Sequence, residues 1–282
     1  MMKKLLFFPV FFSLVFLSTS SFAMSVTAFD SATNLANNLV GEGITISNPT
    51  YTGAEDASGY FSGGLAAGIG IDSGILLTSG FASNLDGNSN TSGSITGVNY
   101  MPGDTDLNNL VSPNSTNDAA ILEFDFSLTT GNSAFFNYVF GSDEYNEYVN
   151  SSFNDVFGFF FEGENIALIP GTDTPVAINN VNNGLNSSYY NDNADTPYPY
   201  SFEYDGFTDV LTASISNLTP GDSYHLKLAI ADTSDSILDS GVFLQGGSFG
   251  DTPPNQVPEP ATAILLLTGL AGVAGFRKKF MS

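Results

Sequence analysis

Cysteine and tryptophan are absent from this 282-residue chain, and between residues 24 and 256 arginine is absent too. Without cysteine no disulfide or thiolate metal site can form, so stability has to come from buried apolar surface. Without tryptophan, a sugar-stacking platform loses its usual ring. Basic residues are almost as scarce. Lys3, Lys4, Arg277, Lys278 and Lys279 lie at the two ends, which leaves Lys227 as the sole cationic side chain against 28 carboxylates in between, formally −27. Such a surface cannot neutralise phosphates, so nucleic acid is excluded as a partner. His225 is the sole histidine. There is no Gly-x-Ser-x-Gly elbow, no metal-binding histidine pair, and no Walker or dinucleotide fingerprint.

What is present begins at the ends. Met1–Lys4 is basic, Leu5–Leu17 is apolar, and Ser21-Phe22-Ala23 is a small-x-small site. That is the layout of a secretory signal peptide over residues 1–23, cleaved after Ala23. At the other end Val257-Pro258-Glu259-Pro260 precedes an uncharged run, and Arg277-Lys278-Lys279 follows it. From Pro260 to Phe276 the run has 17 residues, about 26 Å as a helix, near the short limit for a membrane span. The basic cluster places its own end in the cytoplasm and the preceding domain outside. Pro258 and Pro260 keep the motif extended and open to an enzyme at the membrane surface. Residues 251–256, with Pro253-Pro254, form a stiff linker.

This tripartite tail, residues 257–282, resembles the PEP-CTERM sorting signal of exported Gram-negative bacterial proteins. The resemblance implies processing near the motif by an exosortase, a membrane protease/transpeptidase. The implied route is export across the inner membrane, anchoring through the C-terminal helix, and then the cell surface or the extracellular space.

Residues 24–250 read as one β-rich domain. Asp30 or Ser31 caps a short helix whose face is Ala32, Leu35, Ala36 and Leu39, with Gly41 ending it. Strands follow at Gly43–Tyr51, Gly74–Thr78, Leu122–Leu128, Ala134–Phe140, Val156–Phe161, Ile166–Ile169, Val176–Val181, Leu211–Ser216, Tyr224–Ile230 and Val242–Leu244, several with strict apolar–polar alternation. Asn, Gly, Ser and Asp fill the intervals. Many short strands and almost no helix predict an all-β, two-sheet antiparallel sandwich, jelly-roll-like, with 25 Phe and 12 Tyr to fill its core. Two stretches, Asn84–Asn117 and Asn182–Pro199, break the rhythm as long polar loops. The Tyr189–Tyr200 segment offers either a contact surface or a wide hairpin that packs its own tyrosines.

Four blocks carry a second resemblance: Leu39-Val40-Gly41 with Ile44–Asn48; Gly74–Gly80; Phe140-Gly141-Ser142-Asp143-Glu144-Tyr145 through Asn154–Phe159; and Ala229–Asp232 through Leu238–Phe243. They resemble the bacterial choice-of-anchor L family, in which one extracellular β-domain is paired with varying surface anchors. The resemblance implies no known catalytic activity.

Two acidic clusters each follow a strand: Asp143, Glu144, Glu147 and Asp155, then Asp232, Asp235 and Asp239. If the strand ends adjoin, these seven carboxylates make an oxygen-rich calcium site, although no EF-hand spacing is present. The competing reading has them cap turns through backbone N–H groups. The function expected is structural or adhesive, calcium-assisted, at the cell surface or in the exopolysaccharide matrix, with glycans or surface proteins as partners. The alternative is a secreted glycan hydrolase that pairs Glu144 with Asp155 or Asp232. His225 alternates with core residues on a strand, which suits a polar face position better than a catalytic triad.

Overall fold

The computed structural model describes residues 24–254 except Asn88. Ala23 and the signal peptide, the Val257–Pro260 motif, the apolar run and the basic tail lie outside the described residues. Among those described, no helix is long and apolar enough to cross a membrane.

Thirteen strands are described: β1 Ser25–Ala28, β2 Ile44–Thr52, β3 Ser58–Ser62, β4 Ser73–Thr78, β5 Thr116–Leu128, β6 Ser133–Ser142, β7 Val156–Phe161, β8 Glu164–Asn165, β9 Tyr190–Asp192, β10 Gly206–Thr208, β11 Leu211–Ser216, β12 Tyr224–Thr233 and β13 Ser240–Gln245. Helices are few and short: α1 Ala32–Leu39, α2 Gly64–Ala67 and α3 Thr105–Leu110. One sheet runs β1-β3-β4-β13-β6-β10-β9, with β11 continuing along the same edge of β6, and the other runs β2-β5-β12-β7-β8. Eight strands pair as a nested hairpin: β4 with β13, β5 with β12, β6 with β11 and β7 with β8. The first pairs with the last and so on inward, with partners alternating between the two sheets, which is the winding of a jelly roll.

Period-two patterning explains why the sheets stack. Ala134, Phe136, Tyr138 and Phe140 on β6 face Phe157 and Phe159 on β7 and Leu226, Leu228 and Ile230 on β12, all in one buried cluster. Phe136–Phe159 and Tyr138–Phe159 meet edge to face at 5.0 and 4.9 Å, the arrangement the ring quadrupoles favour. The phenylalanines thus take the place of disulfides in holding the fold.

The outer faces are covered as well. On the larger sheet Leu76, Val139 and Phe243 are roofed by Ile69, Ile71, Phe202, Tyr204 and Phe207. On the smaller one Ala229, Ala231 and Ile121 lie beneath Leu107 and Val111 of the α3 region. Lys227 reaches from β12 to Asp104 and Asp106 at 2.7 Å each, and Asp104 also caps α3 by accepting from Asp106 N and Leu107 N. Of the two caps expected for α1, Asp30 or Ser31, the structure uses Ser31, whose hydroxyl accepts from Asn34 N at 3.1 Å.

Two expected strands differ. Ile166–Ile169 and Val176–Val181 contribute only the single bridges Leu168↔Pro175 and Val156↔Ala177. Pro170 and Pro175 remove donors a ladder needs, while Ala167, Ile169, Val176, Ile178 and Val181 still join the core. The two long polar stretches also hold more structure than loops do, since they include α3 and β9. Tyr190 and Tyr200 pack against Tyr145 and Phe207 at 4.8 Å within the wide β9–β10 hairpin.

Candidate functional site

Jelly-roll winding sends three inter-sheet connections over the same end of the sandwich. They are residues 79–115 between β4 and β5, residues 143–155 between β6 and β7, and residues 234–239 between β12 and β13. The ends of β6 and β12 do adjoin there: Ser240 pairs with Ser142, and Asp143 N donates to Asp239 O at 3.2 Å. All eight buried carboxylates of the described residues belong to this end: Asp118, Asp143, Glu144, Asp155, Glu203, Asp205, Asp232 and Asp239. No cationic side chain is among them, because Lys227 is held at α3.

Most of these carboxylates are structural acceptors. Asp155 ties the sheets together, taking Thr233 N on Oδ1 at 2.8 Å and the Ser240 hydroxyl on Oδ2 at 2.7 Å. A strap from the first connection lies across the cluster and donates every second main-chain N–H from Ile95 to Met101. Ile95 N meets Asp143 at 2.8 Å, Gly97 N meets Asp239 at 3.0 Å, and Asn99 N and Met101 N meet Asp118 at 3.2 and 2.6 Å. Upstream, Thr91 N and Ser92 N donate to Glu203 at 3.0 and 3.1 Å. Asp205 accepts from the Asn90 side-chain amide, and its own N–H donates to Asp143 at 3.2 Å. Asp143 and Asp239 therefore serve as turn anchors of the kind the sequence reading set against calcium.

A second set of oxygens has no such use. Glu144 Oε2, both oxygens of Asp232, Thr233 Oγ1, Asp235 Oδ1 and Asp239 Oδ2 are buried without a hydrogen-bond partner, six of the nine such atoms among the described residues. Asp232 and Thr233 sit just past a shift in register between Ile230 and Asp232, beyond which β12 pairs with β5 again at Asn117 and Thr116. A buried polar atom left unpaired costs free energy, so their concentration in one place calls for a compensating partner.

Electrostatics express the same deficit. Burial pushes Glu144 up to about 9, with the charges of Asp155 and Asp235 adding to it. Asp143 and Asp232 are driven well above the carboxylate range, again by burial first, then by Asp205 and by Asp155 respectively. Burial raises Asp155 to about 7 and both Asp205 and Asp239 to about 6. Hydrogen bonds from Ile95 N to Asp143 and from Gly97 N to Asp239 oppose two of these shifts without cancelling them.

Of the seven residues singled out from sequence, Asp143, Glu144, Asp155, Asp232 and Asp239 are buried together, Asp235 is half-buried beside them, and Glu147 is exposed. Among the described residues, no group of three or more His, Asp or Glu side chains is disposed to hold a metal ion by itself. A cation here therefore needs hydroxyl, main-chain carbonyl or water oxygens in addition to carboxylates. Asp118, Glu203, Asp205 and the strap N–H groups escaped the sequence reading. The length of the Asn84–Asn117 interval was their one signal. Glu144 and Asp155 are 1% and 0% exposed, a poor setting for a pair that must flank a glycosidic bond. His225 lies on the outer face of the smaller sheet, with Nδ1 3.0 Å from Asp125 and Nε2 3.5 Å from Glu123.

Comparison with known proteins supplies the setting. The family model described as choice-of-anchor L domain matches residues 25–250, and the PEP-CTERM protein-sorting motif matches residues 256–279. No curated protein and no solved structure matches the chain. The sorting motif implies handling by an exosortase, a membrane enzyme, and with the matched domain it marks an exported, surface-sorted protein. The chain belongs to the choice-of-anchor L family and ends in a PEP-CTERM sorting signal.

Proposed function

We propose that this protein is a structural or adhesive component of the cell surface or exopolysaccharide matrix, binding glycans or surface proteins without catalysis and assisted by a divalent cation of calcium's class. The apolar run of the sorting signal holds the β-domain at the membrane until processing releases it. The observation carrying this reading is the arch end of the jelly roll. Its carboxylates are spent on tying sheets and strap together, or are buried out of a substrate's reach. A domain so built is a rigid body with an outer surface, suited to being displayed.

Two measurements test the proposal. Mass spectrometry of the mature C-terminus should find the chain ending near Pro258–Pro260. The released domain should be retained on purified exopolysaccharide without generating reducing ends. Turnover abolished by Glu144→Gln would replace the adhesive reading with the hydrolase one.

A further inference from the structure

On the outer face of the smaller sheet, beside α3, the cover is incomplete. β8 has only two residues, joined to β7 by the tight turn Glu162-Gly163, both at positive φ. Past β8 the chain bonds to itself: Ile169 N donates to Thr174 O at 2.9 Å and Val176 N to Ala167 O at 3.0 Å. Asn165 locks the exit, its Oδ1 accepting from Phe159 N and Ala167 N at 3.1 Å each. On the same face stands α3, seated by Leu107 and tied through Asp104 to Lys227. Both walls border a groove of about 430 Å³, within the size range of ligand sites.

Two kinds of surface meet in this groove. Leu110, Leu168 and Pro175 are partly exposed apolar walls beside the buried Phe160. Asp106, Glu164 and Asp173 line it with carboxylates. Asp106 shares Lys227 with Asp104, whereas Glu164 and Asp173 are exposed and have no second lysine or arginine to meet among the described residues. Asn165 Nδ2, in the wall, is buried without a hydrogen-bond partner. Apolar walls with unneutralised carboxylates suit an apolar stem carrying a cationic head, the build of a lysine or arginine side chain. The domain's formal charge of −27 draws such a ligand in, turns anionic polymers away and gives a neutral saccharide no advantage. A peptide also carries the carbonyl acceptors that the Asn165 donor lacks. A second copy of the domain does not qualify, since its Lys227 side chain is 11% exposed and already paired. We propose that this groove docks a lysine or arginine side chain from a basic segment of another surface protein, with its stem along Leu110, Leu168 and Pro175 and its head drawn to Glu164 and Asp173. This rests on the reading of the domain as a displayed binding module and gives its protein partner a chemistry.

The test uses the full chain in detergent at neutral pH and a fluorescein-labelled tetra-arginine peptide, read by fluorescence anisotropy. The arginine peptide should bind, and its tetra-citrulline counterpart, of the same shape without the charge, should not. Glu164→Gln combined with Asp173→Asn should weaken binding roughly tenfold, near the upper end for two exposed ion pairs. Glu42→Gln combined with Asp195→Asn removes the same charge from exposed positions outside the groove and should change binding by less than about twofold, because charges remote from the ligand are screened. Asn109→Trp fills the groove from an exposed position on α3 without altering charge and should abolish binding. Equal losses in the two double variants would reduce the effect to net charge and overturn the proposal. Binding that survives Asn109→Trp, citrulline binding as tight as arginine binding, or no anisotropy change with the arginine peptide overturns it equally. Maltohexaose bound by the wild type and lost in Asn109→Trp, with no arginine binding, would assign the groove to glycans instead. Retention on purified exopolysaccharide is scored separately on the same variants, so the surface reading and the groove can fail independently.

Discussion

Asp104 and Asp106 at α3 and the carboxylates of the arch end are the same chemical group treated in two ways. At α3 each carboxylate meets Lys227 at 2.7 Å, and Asp104 also takes two N–H groups of the helix it caps. Every negative charge there has a positive or dipolar counterpart. At the arch end eight carboxylates are buried without a cationic side chain, and six oxygens there lack a well-formed hydrogen bond. The contrast shows that burial alone does not decide what an acidic residue does. What matters is whether its partner comes from the chain or must come from solution.

Removing the chain-supplied partner should have the largest effect. Lys227→Met strands Asp104 and Asp106 against the small sheet and should destabilise the domain by about 3 kcal/mol, read as a lowered denaturant midpoint at neutral pH. Calcium should not rescue this variant. If it melts like the wild type, the α3 side of the comparison is broken.

Next in size is the pH response of the chelated protein. Burial raises Asp205 and Asp239 from 3.8 to about 6 and Asp155 to about 7, so between those values the folded state holds more protons than the unfolded one. Their contribution to stability is fully present below about pH 4 and is lost as pH rises through 6 to 7. Thermal melts should therefore give a higher midpoint at pH 5 than at pH 8, by several degrees, with calcium closing the gap at the alkaline side. A midpoint that rises with pH in chelator would reverse the assignment of these groups.

Asp232→Asn should have a smaller effect of opposite sign to Lys227→Met. Burial drives the Asp232 carboxyl's pKa well upward, and an amide is neutral without taking up a proton, so the chelated variant at pH 7.5 should be at least as stable as the wild type. Loss of stability instead would mean that Asp232 has a partner inside the protein. The smallest effect belongs to His225, raised above 6.5 chiefly by its hydrogen bond with Asp125. Its contribution is present below 6.5 and fades as pH passes the folded value. His225→Gln should change stability by no more than about 0.5 kcal/mol. A larger change would mean that this half-exposed face does more than cover the sheet.

Parts of this were legible before any coordinates. Alternation of Leu122, Phe124 and Phe126, or of Leu226, Leu228 and Ile230, marks strands with one buried face because side chains in a strand repeat every two residues. Ser31 and the apolar face behind it mark the helix that forms. Val176 and Ile178 look identical on that criterion, yet they lie in a segment that makes single bridges, because hydrogen-bonding partners and neighbouring prolines are invisible to hydropathy. At the site, Asp143, Glu144, Asp155, Asp232 and Asp239 stood out by crowding. Asp118 and the Glu203–Asp205 pair did not, because they lie far along the chain from both clusters and are brought in by the strap and by the Asp205 N–H bond to Asp143.

The amino-acid order by itself determined the export and sorting ends, the all-β character and the scarcity of cations between those ends, where Lys227 is the only lysine or arginine. Each of these depends on composition or on contacts between near neighbours in the chain. The tertiary structure decided which carboxylates meet, because the jelly roll folds three distant connections onto one end. It also decided which of them are satisfied, since a hydrogen bond needs a donor at a particular point in space, and the strap delivers its N–H groups to some oxygens and leaves others bare.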